Sequence, residues 1–277
     1  MPTSGQFAVG ELVTASDANT LFTRGYRNRI INGAFVINQR GYTSGTNLAS
    51  GAYGFDRWKS GFTNTALTFT AGSQATTVTI STSGVLQQII ERENIPAGTY
   101  TLSWTGTATG RIYNSGATPP SYAAGPITVT LDGLANVVVE FTASGGTRTL
   151  GLVQLEAGTV YSPFEYRMRG EELLLCQRYY WRWVSVTNGD IFVGVYQPAS
   201  TTFITHFPFP TQMRADPTMT LTGTWTVLNS SAAPTIYYGS KNWFALSSTV
   251  NSGIGNANQS GFFSSGGSST LTASIEL

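Results

Sequence analysis

The feature that most constrains the fold of this chain is a two-residue alternation of apolar side chains with Thr and Ser, in short runs separated by turn residues. Leu67 and Phe69, then Val78 and Ile80, alternate with hydroxyl residues. Leu102 and Trp104 are interleaved with Thr101, Ser103 and Thr105. Ile127, Val129 and Leu131 run into Asp132-Gly133, and Val137-Val138-Val139-Glu140-Phe141 answers across that turn. Leu150, Leu152 and Val153 close the series. Successive side chains of a strand point to opposite faces, so this pattern buries one face and leaves the other covered by hydroxyls. Ile30-Ile31 and Phe35-Val36-Ile37 flank Asn32-Gly33, a turn dipeptide. Short strands at this spacing predict an all-β chain with an antiparallel jelly-roll β-sandwich over residues 30–169.

The period changes once. Gly170-Glu171-Glu172-Leu173-Leu174-Leu175-Cys176-Gln177-Arg178-Tyr179-Tyr180 puts Leu173, Cys176, Gln177 and Tyr180 on one helical face, and its paired glutamates suit the positive end of a helix dipole. A connecting helix is expected over 170–181. Alternation then returns with Ile191, Val193 and Val195, with Met219 and Leu221, and with Trp225 and Val227, predicting a second, smaller β domain over 182–277. Asn251 to Ser269, rich in Gly, Ser and Asn, reads as a long loop or a loosely paired hairpin. Residues 1–29 stand apart. Ser16-Asp17 offers an N-cap to a short helix, but Leu12, Leu21 and Phe22 are too few to build a core. They are expected to dock the chain onto something else.

Charge narrows the partners. Of 277 residues only 10% are charged, against roughly a quarter in typical soluble proteins. Ser and Thr, about a quarter of the chain, supply the polar surface instead. A net charge of +1 gives no footprint for nucleic acid or anionic membrane. No apolar run reaches the roughly 18 residues that cross a bilayer, so membrane insertion is not expected. The first residues lack the regions of a signal peptide, so the chain is expected to be made and assembled in a cytoplasm. Cys176 is the only cysteine, so the fold has no internal disulfide. Between Leu221 and Leu277 only Lys241 and Glu276 carry charge. A surface this neutral invites self-association unless symmetry closes it, and a homotrimer is expected.

The residues of chemistry are sparse. His206, the single histidine, lies in an apolar, strand-like stretch with no nucleophile elbow elsewhere. One Cys and one His cannot make a zinc site of the usual type within one chain. Glycoside hydrolysis needs two carboxylates, and Asp56, Glu140, Glu156, Glu165, Asp190 and Asp216 are the candidates. Most also have a reading as a salt bridge or a turn. No catalytic residue and no cofactor is assigned. A jelly roll can hold a structural calcium, but no loop here concentrates acidic residues. Carbohydrate binding without chemistry has better material in Trp225, Tyr237, Tyr238, Trp243 and Phe244, with Asn229, Asn242 and Lys241 nearby. Two adjacent aromatics in a strand face opposite ways, so some of these rings must lie at a surface or an interface. Tyr237, Tyr238 and Trp243 are the candidate glycan-binding residues.

Four segments resemble a widespread group of phage structural proteins, the tail fibre or virion proteins. They are Asn32-Gly33-Ala34-Phe35-Val36-Ile37-Asn38-Gln39-Arg40-Gly41 with Asp56-Arg57-Trp58; Val153-Gln154-Leu155-Glu156-Ala157-Gly158 with Pro163-Phe164-Glu165; Glu172-Leu173 with Cys176-Gln177-Arg178-Tyr179-Tyr180; and Phe207-Pro208 with Met213-Arg214-Ala215-Asp216-Pro217. They keep the order of that group and span residues 32 to 217. Gly10 to Asn19 is similar to the docking segments that open phage fibre proteins. The resemblance implies a jelly roll like that of carbohydrate-binding modules, then a helix, then a smaller β module. It does not imply one role in the particle, since related chains occur in tails, in baseplates and on heads. The reading adopted is a tail fibre or spike subunit of the virion without enzymatic activity, bound to other virion proteins of tail, baseplate or capsid through Leu12, Leu21 and Phe22. The aromatics of the C-terminal β region add an expectation of host attachment, with a surface glycan as ligand. A head-decoration protein is the alternative, and a glycan-hydrolysing depolymerase a more distant one. On their own chemistry, Asp56-Arg57 reads as an ion pair beside a core Trp58, and Arg178 as a partner for Glu156 or Glu165.

Overall fold

The computed structural model describes residues 26–62, 64–185, 191–196, 202–228, 232–249, 260–264 and 269–277. It divides the chain into two compact units, Met1–Glu172 and Leu173–Leu277. Both are built of antiparallel sheets, as the alternation predicts.

The first unit contains β1 (Asn47–Leu48), β2 (Lys59–Ser60), β3 (Thr65–Phe69), β4 (Val78–Ile80), β5 (Val85–Ile90), β6 (Gly98–Gly106), β7 (Thr109–Asn114), β8 (Ile127–Leu131), β9 (Val137–Thr142) and β10 (Arg148–Ala157). One sheet has the order β1-β3-β4-β10-β6-β8 and the other β2-β5-β9-β7. From β4 onward each strand changes sheet, so the chain wraps around the core in the manner of a jelly roll. The core takes one face of each strand: Leu67, Val78, Ile80, Leu102 and Leu150 from one sheet meet Leu86, Ile112, Val139 and Phe141 from the other. The opposite face of the larger sheet carries Thr68, Thr79, Thr105, Thr128 and Thr149. Trp58 is fully buried, stacked on Phe35 at 4.9 Å, and donates its indole N–H to the Asn32 carbonyl at 2.9 Å. Burial of a ring that size contributes about 5 kcal/mol.

Helix α1 (Arg169–Gln177) carries Glu171 and Glu172 in its first turn. The second unit contains β11 (Tyr180–Val184), β12 (Ile191–Tyr196), β13 (Thr202–Pro208), β14 (Thr218–Thr222), β15 (Trp225–Leu228), β16 (Thr235–Gly239), β17 (Trp243–Thr249), β18 (Ser260–Ser264) and β19 (Thr270–Ser274). Their orders are β11-β19-β14 and β15-β18-β12-β13-β17-β16. Phe244 and Leu246 from β17 and Leu271 and Ala273 from β19 form its core with Phe209 and Met213. Within the stretch read as a loop or hairpin, β18 is a strand paired with both β12 and β15. The helix expected near Ser16 and the docking residues Leu12, Leu21 and Phe22 lie outside the described residues.

Candidate functional site

Two constellations stand out, one in each unit. In the first, the backbone of residues 27–32 is held by side chains in place of a regular strand ladder. The Arg27 and Asn28 N–H groups donate to the two Glu165 oxygens at 3.0 and 2.9 Å. Asn28, buried, bridges to the neighbouring backbone, donating to the Val153 carbonyl and accepting from Leu155 N–H. The Gln88 amide pairs with both backbone groups of Ile31, at 2.9 and 2.8 Å. Asn32 N–H donates to Glu172 Oε1 at 2.5 Å. Arg167 donates to the carbonyls of Asn28 and Ile30 and forms ion pairs with Glu165 at 3.6 Å and Glu172 at 3.2 Å. Arg27 pairs with Glu156 at 3.4 Å.

Asn32 is the centre of this framework. Its φ of 58° is left-handed, a conformation Asn tolerates better than most residues. That turn aims its amide into the protein, where Nδ2 donates to the carbonyls of Ile37 and Asp56, and Oδ1 accepts from Val36 and Ile37 N–H. Gly33 follows because a Cβ there would collide with the Val153 carbonyl oxygen.

Asp56 is partnered by Arg40 at 3.5 Å and by the Gln39 N–H and amide, while Arg57 donates Nη2 to the Ile89 carbonyl. Arg57 itself has a left-handed φ of 70°. Glu156 and Glu165 are held by Arg27 and Arg167. The Arg178 guanidinium sits over the Tyr179 ring.

The remaining carboxylate candidates are also committed. Glu140, fully buried on the outer side of β9, pairs with Arg111 Nε at 2.5 Å, in register across the strands. Tyr122 covers that pair, its ring 4.2 Å from the guanidinium and its hydroxyl 3.4 Å from Glu140. Burial first, then the Glu140 charge, push the Tyr122 phenol up to about 12. Asp216 accepts the Lys241 N–H, and Asp190 lies outside the described residues. Among the described residues no group of three or more His, Cys, Asp or Glu could hold a metal ion.

The second constellation is aromatic. Tyr237 and Tyr238 are 60% and 50% exposed. Adjacent strand residues ordinarily face opposite ways, but a register shift between Ile236 and Tyr238 turns both outward. Trp243 and Phe244 do divide between faces: Phe244 is in the core, and Trp243 is half-buried on the far side. There it meets Tyr238 at 5.0 Å and His206 at 5.0 Å. His206 and Tyr238 flank Ala245 from the two neighbouring strands. Only strand register brings His206 beside a ring 37 positions away along the chain. Trp225, by contrast, packs on the core and stacks on Trp183 at 5.7 Å.

The sequence matches no family model, and no curated protein matches it closely. Among solved structures, the chain aligns with a Paenibacillus sp. cycloisomaltooligosaccharide glucanotransferase complexed with cycloisomaltoheptaose. The identity is 12%, the TM-score 0.24, and the alignment covers 86% of this chain but only 46% of that one, a likeness too slight to carry an argument.

Proposed function

We propose that this chain is a bacteriophage virion structural protein, a tail fibre or spike subunit without enzymatic activity. It docks on the particle by its N-terminal segment, assembles as a homotrimer and presents a β-rich surface for attachment to the host. The observation that carries the reading is where the phage-like segments fall. Asn32, Asp56, Trp58, Val153, Glu156, Glu165 and Glu172 belong to three separate stretches of that resemblance, yet they interlock in one framework. What the segments share is a way of closing a sandwich around the root of the N-terminal segment. Each described carboxylate candidate is tied to a structural partner, which supports a scaffold over a hydrolase. The neutral stretch from Leu221 to Leu277 supports a surface closed by symmetry or turned to an uncharged ligand.

The test is immunogold labelling of phage particles that encode the chain, with antibody raised against the purified protein. Gold on fibres or spikes is expected. Gold on the head would replace the tail reading with head decoration, and unlabelled particles would overturn the virion reading. Light scattering of the purified protein checks the trimer; a monomer mass at micromolar concentration overturns that part.

A further inference from the structure

We infer that the His206–Trp243–Tyr238 shelf of the second unit is a binding site for a neutral oligosaccharide; this deepens the host-attachment reading and rests on it. The three rings come from three adjacent strands, β13, β17 and β16. His206 and Tyr238 stand opposite Ala245 on either side, and the Ala245 side chain between them is small and fully buried. Trp243 contacts both neighbours with ring centroids 5.0 Å apart, tilted 53° to His206 and 36° to Tyr238. The result is a continuous aromatic surface three strands wide, with His206 and Tyr238 exposed.

The ligand class follows from what the shelf offers. Sugar rings present C–H faces and hydroxyl edges, so they need flat apolar surface beside uncommitted polar atoms. The imidazole nitrogens of His206, the Trp243 indole N–H and the Tyr238 hydroxyl form no hydrogen bond among the described residues. On an exposed or half-buried shelf these groups are available to a ligand's hydroxyls. The Gln212 and Asn242 amides, joined at 2.9 Å and exposed, add neutral donors and acceptors on the loops flanking the shelf. The sequences of β13, β16 and β17 contain no Lys, Arg, Asp or Glu. An acidic sugar, a nucleic acid or an anionic membrane would find no charge on these strands to pair with.

The experiment uses the intact chain, with intrinsic tryptophan fluorescence and calorimetry as readouts. The probes are linear hexamers of glucose, galactose, mannose and N-acetylglucosamine, with a hexamer of glucuronic acid as acidic comparator. Saturable binding of at least one neutral hexamer is expected, insensitive to salt. Tyr238→Ala and His206→Ala should each weaken it at least tenfold with an unchanged thermal midpoint. Both residues are exposed, so neither variant threatens folding. Failure of all neutral hexamers to bind, binding that survives both variants, or preference for the acidic hexamer overturns the proposal. So does a change of oligomeric mass in the variants, which would make the shelf a contact between copies. Labelled particles whose protein binds no neutral sugar would overturn the site alone. A chain that binds sugar but is absent from particles would overturn the virion reading alone.

Discussion

Replacing Asn32 with Ala removes the centre of the framework that closes the first unit. The side chain makes four hydrogen bonds to backbone groups, two as donor and two as acceptor, at 2.8–3.0 Å. Asn32 is fully buried, so no water replaces them in place. A net of about 1 kcal/mol per bond, together with about 1 kcal/mol for placing Ala at a φ of 58°, puts the loss near 5 kcal/mol. For a unit of this size that corresponds to a fall of roughly 10–20 °C in thermal midpoint. The assay is urea unfolding followed by tryptophan fluorescence, with Asn38→Ala as the control. Among the described residues the Asn38 side chain bonds to the Tyr42 backbone at two atoms, and it is half-buried and open to water, so its loss should be about 1 kcal/mol. An Asn32→Ala loss below about 2 kcal/mol, no worse than an ordinary substitution, would refute the reasoning that this residue organises the turn.

Two further outcomes are expected. Tyr122 should titrate about 2 pH units above its ordinary value of 10.0 in a difference-absorbance titration, and Tyr122→Phe should remove that late step. The folded chain holds this proton more tightly than the unfolded chain, so the stability it supplies is present below pH 10 and is lost as pH rises from about 10 to about 12. Deleting residues 1–25 should leave the sandwich folded but abolish incorporation into particles. Extending the deletion through residue 29 should also destabilise the sandwich by about 3 kcal/mol, because it removes the three Asn28 and Arg29 hydrogen bonds to Val153 and Leu155; equal midpoints for the two truncations would refute that division.

The sandwich itself was legible before any coordinates, and for a local reason. A period of two is written into each strand by its own residues, so Leu67/Phe69, Ile127/Val129/Leu131 and Val137–Phe141 announce both the strand and its buried face. The helix was legible in the same way, although it spans Arg169–Gln177 and yields to β11 at Tyr180. Val85–Ile90 was passed over because its apolar run interrupted by Gln87-Gln88 shows no clean alternation. Tyr237, Tyr238 and Trp243 could be nominated from adjacency alone, but their disposition could not. A one-residue bulge decides that both tyrosines face out, and strand register decides that His206 joins Trp243. The same holds for the charges. Which arginine meets Asp56, Glu156 or Glu165 depends on how the backbone turns and on residues 27–29 lying beside β10, more than a hundred positions away along the chain. Strand periodicity is a property of neighbours along the chain and belongs to the sequence. Side-chain pairing is a property of neighbours in space, set by register, bulges and left-handed residues, and only the tertiary structure determines it.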